Sequence, residues 1–589
     1  MITGHFSDIK HFTLSGSSDK PDADFQKDGV KVMFFGKIHN KSSLGFSDDT
    51  DCASIVHAIF VKYGIEGLKK IDSSSVSIII DGDTMLIARD HHGTYAQIYY
   101  SSYNFASHPD GLDRTSANLY EPDYKSLATF LSIGYIPTPH CAIKGVSKLP
   151  AGCALKVSGE KMDVVKIFPT DYSVPHDERS IEELSEEYGN LHVDSIKRRI
   201  GNSENVGLLL SGGYDSGSNL AALREIYSGK VSSFSIGFKG DNWSELPLAD
   251  CMSKYFSTDH HTYEIDGSEV LNLPEIVHSL GDPFVEGGLM VNYCAMKMIG
   301  NDKPDVILGG DGSDQYFGTA GRETALNYLA CKSLLMPEMK MALKALSHNQ
   351  YEKNNRFYRA RFHLNSIVNI LDGDKFGFPD FMIPQILQDS SLRPFVTTEK
   401  EDLSSWEALY SQHAMRSDLE KVINQVILFK ASRMADLFSV NIAFPFMDNR
   451  LFEFLQALPV KWKCHGDSVK AIAKGNCTSK YLLKYHYKPM LPKEITSKKK
   501  QGGFAPMPLF FEDDDRRARL NEFIMGCDAS QTLFNRKNVE IFLKNYCDKC
   551  HETGNWFWYR QNKAIQYFNL LSLSVWWEIF MKGNKDLTL

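Results

Sequence analysis

Val206-Gly-Leu-Leu-Leu-Ser-Gly-Gly-Tyr-Asp-Ser-Gly217 carries a strand, a turn and a helix start in one short run. Val206 to Leu210 is mostly apolar and predicts a buried parallel strand. Ser211-Gly212-Gly213 breaks it, and glycines there let a ligand approach the main chain. Ser216, Asn219, Leu220, Ala222 and Leu223 then have helical spacing. A strand, a glycine turn and a helix N-terminus together make an anion site, because unpaired N–H groups converge where the helix dipole is positive. A Walker loop would place a Lys here. This segment places Asp215 instead, a carboxylate that makes sense beside phosphates if it holds Mg²⁺.

The S-G-G-x-D-S pattern resembles the pyrophosphate loop of the N-type ATP pyrophosphatases. That resemblance implies cleavage of ATP between its α and β phosphates and an adenylate intermediate. Strands and helices alternate around the loop: Val206–Leu210, helix, Val231–Gly237, helix through Tyr255, His261–Ile265, helix, Val306–Leu308. The expected fold class is α/β, with a doubly wound parallel sheet whose ligand lies at the strand carboxyl ends. Ser211, Gly237 and Gly309 all fall there.

Leu308-Gly-Gly-Asp-Gly-Ser-Asp-Gln-Tyr-Phe-Gly318 is a second glycine turn after a strand. It resembles the asparagine synthetase string S-G-E-G-S-D-E-x-F-G-G. Asp314 then offers a second carboxylate to Mg²⁺ opposite Asp215. Ser233-Phe-Ser-Ile-Gly-Phe238 resembles the family's T-F-S-I-G-F strand. The resemblance implies an ATP site of Leu209, Ser211, Gly212, Gly213, Asp215, Ser216, Ile236 and Gly310, with Asp215 and Asp314 as metal ligands. Phe444-Pro-Phe-Met-Asp-Asn-Arg450 resembles V-P-F-L-D-x-R and is expected at the back of the site. Lys480-Tyr-Leu-Leu-Lys484 resembles K-x-x-L-R. Lys498-Lys-Lys-Gln-Gly-Gly-Phe504 resembles R-x-K-Q-G-F and puts Lys500 on the family's catalytic lysine, where a fixed ammonium stabilises developing negative charge. Asp311 stands at an acidic position of the family, as the base for the amine or as a support for the metal ligands.

The first part of the chain is β-rich. Val30–Phe35, Ser75–Ile80, Thr84–Ala88 and Ala96–Tyr100 predict strands, and Asp51 to Tyr63 has helical spacing. Phe35-Gly-Lys-Ile-His-Asn40, Ala88-Arg-Asp-His-His-Gly93, Phe105-Ala-Ser107 and Lys148-Leu-Pro-Ala-Gly152 resemble strings of the glutaminase domain of class-B asparagine synthetases. An Ntn-hydrolase-like αββα domain over residues 1–172 is therefore expected, followed by a synthetase domain over 178–589 of the adenine-nucleotide α-hydrolase-like type. Ser180 and Glu183 signal the capped start of a helix from Ile181 to Ile200. The departures carry as much meaning as the matches. Such a glutaminase uses a Cys directly after the initiator Met. Ile2 stands there, Phe35 and Lys37 replace the Asn and Glu of N-G-E, and His108 replaces the Glu of F-A-S-E. The expectation is a domain kept for structure or substrate docking.

With that loss the amine should belong to the substrate. Lasso-peptide macrolactam cyclases and β-lactam synthetases are relatives of this kind; the latter place a Tyr where this chain has Asp311, which favours the former. A lasso cyclase implies a peptide substrate and a leader-peptide protease as partner. Ammonia-dependent, asparagine synthetase-like amidation is the alternative. A helical insertion about 319–430 is either an elaborated lobe or an enlarged acceptor site. The aromatic run from Trp556 to Trp577 reads as core.

Bulk composition bounds the rest. At 589 residues the chain exceeds one core. A net charge of −8 with no long basic run argues against nucleic acid or an anionic membrane. No apolar run reaches the ~18 residues of a membrane span. The 11 scattered cysteines fit reduced thiols in the cytoplasm better than a disulfide framework. Cys547-Asp-Lys-Cys550-His551 spells a haem-attachment string, but Met1 to Phe6 shows neither the basic nor the apolar region of an export signal, so haem attachment is not expected.

Overall fold

The computed structural model describes the chain apart from residues 7–13, 15–19, 114–120, 171–172, 174–176, 241–243, 319, 332–352, 369–376, 396–400 and 498–504, and apart from the side chains of 361, 364–368 and 415–418. The expected catalytic Lys500 and its surrounding string lie outside the described residues, as does part of the helical insertion.

The first domain is two antiparallel sheets. Strands β1 (Thr3–His5), β2 (Ala23–Lys27) and β3 (Val30–Ile38) precede helix α1 (Cys52–Tyr63). Strands β4 (Ser73–Asp81), β5 (Thr84–Arg89), β6 (Tyr99–Tyr100) and β7 (Asn104–Ala106), helix α2 (Tyr124–Ile133), and strands β8 (Ser147–Lys148), β9 (Cys153–Ser158) and β10 (Lys161–Lys166) complete it. One sheet runs β10-β9-β5-β4-β3-β2, the other β1-β7-β6-β8. The period-2 pattern of β3 sorts its side chains. Met33 and Phe35 join Ile78, Ile87, Ile98 and Phe105 in one core cluster. Val32 and Phe34 meet Ile55, Val56 and Ile59 of α1 in another. The strand expected over Ala96–Tyr100 is shorter, only Tyr99–Tyr100. Gln97 turns inward instead, where its amide oxygen accepts from Arg89 at 3.1 Å and its amide nitrogen donates to the Leu149 carbonyl at 2.9 Å.

Helix α3 (Ile181–Ile200) opens the second domain with a full capping box between Ser180 and Glu183. There follow β11 (Asn205–Leu209), α4 (Tyr214–Ile226), β12 (Lys230–Phe238), α5 (Leu246–Phe256), β13 (Asp259–Ile265), α6 (Leu273–Leu280), α7 (Leu289–Asp302), β14 (Val306–Leu308) and α8 (Ser313–Phe317). Later come α9 (Leu428–Leu437), β15 (Ile442–Ala443), α10 (Tyr481–Tyr487) and α11 (Phe557–Trp576). The sheet order is β13-β12-β11-β14-β15 with every pairing parallel. The chain runs outward from β11 to β13 on one side and from β14 to β15 on the other, so the order reverses between β11 and β14. Val206 pairs with Val306 and Leu208 with Leu308, so the two glycine turns leave the sheet side by side. Helix α11 is wholly buried from Gln561 onward and joins α2, α6 and α7 in the largest core. Among the described residues no helix is long and apolar enough to cross a membrane.

Buried charges join the domains. Asp72 accepts from Arg198 at 3.1 Å and from Arg199 at 3.3 Å, and Arg199 also reaches Asp448 at 3.2 Å, all four side chains being nearly or fully inaccessible. Removing one partner of such a cluster strands the others without compensation. Arg199→Met is expected to destabilise the protein by about 3–5 kcal/mol, against about 1 kcal/mol for the exposed cap change Ser180→Ala. Thermal unfolding of the two variants side by side tests this, and equal small shifts would contradict it.

Candidate nucleotide and acceptor site

Each glycine turn is held in a shape only glycine accepts easily. Gly212 has φ +71°, and a Cβ there would lie 2.7 Å from the Leu248 Cβ and 3.0 Å from the Ala249 amide nitrogen. Gly312 has φ +107°, and its Cβ would lie 2.0 Å from the Met447 Cε. Met447 belongs to the Phe444–Arg450 string, which therefore backs the second turn, while the Gly309 amide donates to the Ala443 carbonyl at 2.9 Å. The first turn is braced internally: Ser211 N–H donates to Ser216 Oγ at 3.1 Å. Gly213 caps α4 without a side-chain hydrogen bond, so the positive end of the helix faces the crevice.

A buried relay ties the turns to the body of the domain. Asn219 of α4 donates its amide to the Gly309 carbonyl at 3.1 Å and accepts from His192 Nε2 at 2.8 Å. His192 Nδ1 in turn meets the Tyr487 hydroxyl at 2.7 Å. Burial holds the His192 imidazole down to about 4, so it is neutral and has one N–H for Asn219 and one lone pair for Tyr487.

One cavity of about 290 Å³ opens above the sheet. Its wall includes Leu209, Ser211, Asp215, Ser216, Ile236, Gly310, Asp311 and Asp314, bringing together most of the residues singled out in the sequence. Gly212 and Gly213 shape the turn without lining the cavity. Phe234, Leu246, Val291 and Ala295 supply its apolar side.

Sequence reasoning missed the residue at the centre. Lys480 is 6% exposed at its side chain, and its Nζ lies 2.6 Å from Asp215 Oδ2 and 2.5 Å from Asp314 Oδ1. Burial alone would push its pKa down, but the two carboxylates more than offset that and hold it above the usual lysine value. Lys480 has φ +53°, an uncommon backbone for a non-glycine residue and the kind found at functional sites. Its K-x-x-L-R string was visible; its role needed the fold. Ser313 Oγ donates to Asp215 Oδ1 at 2.7 Å, so both oxygens of that carboxylate are oriented.

Lys430, buried, pairs with the partly exposed Glu286 near Asp311, a pair that no sequence motif marked. Burial pushes the Asp311 carboxyl up to about 6; Lys430 opposes this, and Glu286, Asp314 and Asp215 add to it.

The two carboxylates suit a hard cation. One oxygen of each already converges on a single positive charge. Among the described residues no group of three His, Cys, Asp or Glu is placed for a metal, and two carboxylates are what Mg²⁺ takes when phosphates and water supply the rest.

A doubly wound sheet with this glycine turn after its first strand defines the PP-loop class of nucleotide-binding fold. The asparagine synthase family model matches residues 187–578, and the glutamine amidotransferase domain model matches 29–168. The chain belongs to the asparagine synthase family. Asparagine synthetase (glutamine-hydrolyzing) 1 of Bacillus subtilis is 22% identical over 567 residues, covering 90% of this chain and 83% of that one. A Methanocaldococcus jannaschii protein carrying the name asparagine synthetase (glutamine-hydrolyzing) 2 is 28% identical over 326 residues, covering 52% of this chain and 61% of its own length. A Mycobacterium tuberculosis protein similarly named is 24% identical over 418 residues, covering 66% and 58%. The chain thus spans about three fifths of the length of the last two.

Lys480→Met leaves Asp215 and Asp314 facing each other without their shared cation. The variant should melt earlier than the parent, and added MgCl₂ should raise its melting temperature more than the parent's. An equal response of both proteins to MgCl₂ would place the cation elsewhere.

Proposed function

We propose that the protein is an ATP-dependent amide synthetase that activates a substrate carboxylate as an acyl-adenylate, releasing pyrophosphate, and passes the acyl group to an amine, releasing AMP. The observation that carries this reading is the convergence of Asp215 and Asp314, from two neighbouring glycine turns, beside the uncapped end of α4. Asp215 and Asp314 would hold Mg²⁺, which when bound neutralises the phosphates. Ser211 and Ser216 would take phosphate oxygens, and Leu209, Ile236, Val291 and Ala295 would take the base.

Lys480 would shift from its carboxylates to the departing pyrophosphate. Asp311, held near 6, is ionised at neutral pH and suited to accept the amine's proton. Lys500 remains our candidate for the cation at the α-phosphate.

The amine, in this reading, comes with the substrate. Support lies in the first domain, where Ile2 is buried in the core cluster of Met33, Phe35 and Phe105 and its amide donates to Ser107 Oγ at 2.9 Å. Phe35 is core, and His108 is spent on a contact with the His278 carbonyl at 2.6 Å. None of these offers a thiol nucleophile or an acidic contact for glutamine. Ring closure on one peptide, as in lasso-peptide macrolactam formation with a leader-peptide protease upstream, is the form we favour, because it makes amine attack unimolecular. β-Lactam-type closure and ammonia-dependent amidation share the activation step; the relatives' names speak for asparagine synthesis, with glutamine as their nitrogen source.

Labelled pyrophosphate should exchange into ATP in the presence of Mg²⁺ and the correct acid, and chelation should stop it. Asp215→Asn should lower exchange at least a thousandfold, roughly 4 kcal/mol. Asp311→Asn should spare exchange and slow amide formation about a hundredfold or more. Ammonia appearing from glutamine, with faster turnover, would overturn the reading of the first domain.

A further inference from the structure

The segment 281–288 joins α6 to α7 and brings Glu286 to Lys430 at the Asp311 end of the cavity. Its course is fixed mainly by the first domain. Asp282 has a side chain 4% exposed and meets Lys148 Nζ at 2.6 Å, the Ala142 amide at 3.1 Å and the Cys141 thiol at 3.5 Å. The Val285 amide donates to the Gly134 carbonyl at 2.8 Å. Gly134 has φ +83°, and a Cβ there would lie 2.4 Å from the Val285 carbonyl oxygen, so the two backbones touch directly. The Tyr99 hydroxyl donates to the Leu280 carbonyl at 3.0 Å. From the second domain, Trp576 donates to the Gly281 carbonyl at 3.1 Å, and Ser572 accepts from the Phe284 amide at 3.2 Å.

The end of α6 is gripped in the same way. His278 Nε2 meets Asp110 at 2.8 Å, and His108 donates from Nε2 to the His278 carbonyl. Burial takes His108 down to about 4, so it is neutral, and its Nδ1 accepts from the Asp110 amide at 3.2 Å. The residue standing where the related glutaminases have Glu is thus turned to this junction.

The other half of the Glu286–Lys430 pair is anchored alike. On α9, two and three residues past Lys430, Ser432 donates to the Thr94 carbonyl at 2.7 Å and Arg433 to the Ser107 carbonyl at 2.7 Å. The segments that carry both partners of this pair beside Asp311 are therefore fixed to one surface of the first domain. A buried ion pair such as Lys148–Asp282 adds little net stability, because desolvation consumes most of the attraction. Its strong demand is geometric, since neither charge tolerates displacement from the other.

We propose that Lys148 is a positioning residue of the synthetase site: the first domain clamps segment 281–288 and α9, and through them holds Glu286 and Lys430 at the acceptor side of the cavity. This rests on the reading above that the acceptor occupies the Asp311 end. It gives the first domain a catalytic use that needs no glutaminase chemistry.

The test uses the full chain as parent, Lys148→Met and Lys148→Arg. Amide hydrogen exchange of 281–288 should quicken at least tenfold in Lys148→Met while β11, β12 and β14 stay protected, and Lys148→Arg should restore protection. Affinity for a non-hydrolysable Mg·ATP analogue should stay within twofold. With aspartate and ammonium chloride as probes, the KM for ammonium should rise about tenfold and that for ATP should not. Unchanged exchange in 281–288, equal opening of the three strands, or no rescue by arginine would overturn the clamp. If Lys148→Met does not fold, Asp282→Asn keeps the side-chain volume and should give the same exchange pattern at smaller amplitude; its absence there would overturn the clamp equally. A parent that turns over neither probe counts against asparagine synthetase-like amidation, and the exchange pattern then decides the clamp by itself.

Discussion

Lys480 between Asp215 and Asp314 is the contact on which the site's geometry turns. Two glycine turns leave neighbouring strands, and each delivers one carboxylate to the same point. Like charges that close repel by several kcal/mol at the effective dielectric of a protein surface, so the turns stay together only with a cation between them. Lys480 supplies it from a third element, at the cost of a left-handed backbone. The ammonium therefore keeps a cation-sized place open between the carboxylates. The rigid surroundings matter equally: Asn219, His192 and Tyr487 tie α3, α4, the second turn and α10 into one buried chain of hydrogen bonds.

The domain junction follows the same logic with the signs rearranged. Asp72 and Asp448 share Arg198 and Arg199, and Lys148 meets Asp282. Apolar contact alone would let two smooth surfaces slide. Buried charges do not, because each displacement exposes one of them to a medium that solvates it poorly. The junction thereby fixes one domain against the other.

Much of this was legible in the residues. Val206–Leu210 and the S-G-G-x-D-S turn pointed to the parallel sheet and the turns at its strand ends, because buried parallel strands are nearly continuous apolar runs and glycine turns let backbones approach phosphates. Ser180 and Glu183 gave the start of α3 because a capping box is a local device. Lys480, Glu286 and Lys430 were not legible as a group, since they lie far apart in the chain and meet only through the fold. The strand expected over Ala96–Tyr100 failed for the converse reason: its alternation was local, but Gln97 answers to Arg89 and Leu149 across the sheet.

The charge balance of the cavity constrains what can enter. Asp215, Glu245, Asp311 and Asp314 line it, with Glu286 beside them, while among the described residues Lys430 and Lys480 bring positive charge near them. A bare triphosphate entering that field meets net repulsion, whereas the same nucleotide carrying a divalent ion does not. In the proposed reaction the carboxylates would therefore favour the metal-bound form of the nucleotide. In the proposed reaction the same field would favour an approaching cationic amine, and Asp311, its carboxyl raised by burial, would be the group to take its proton.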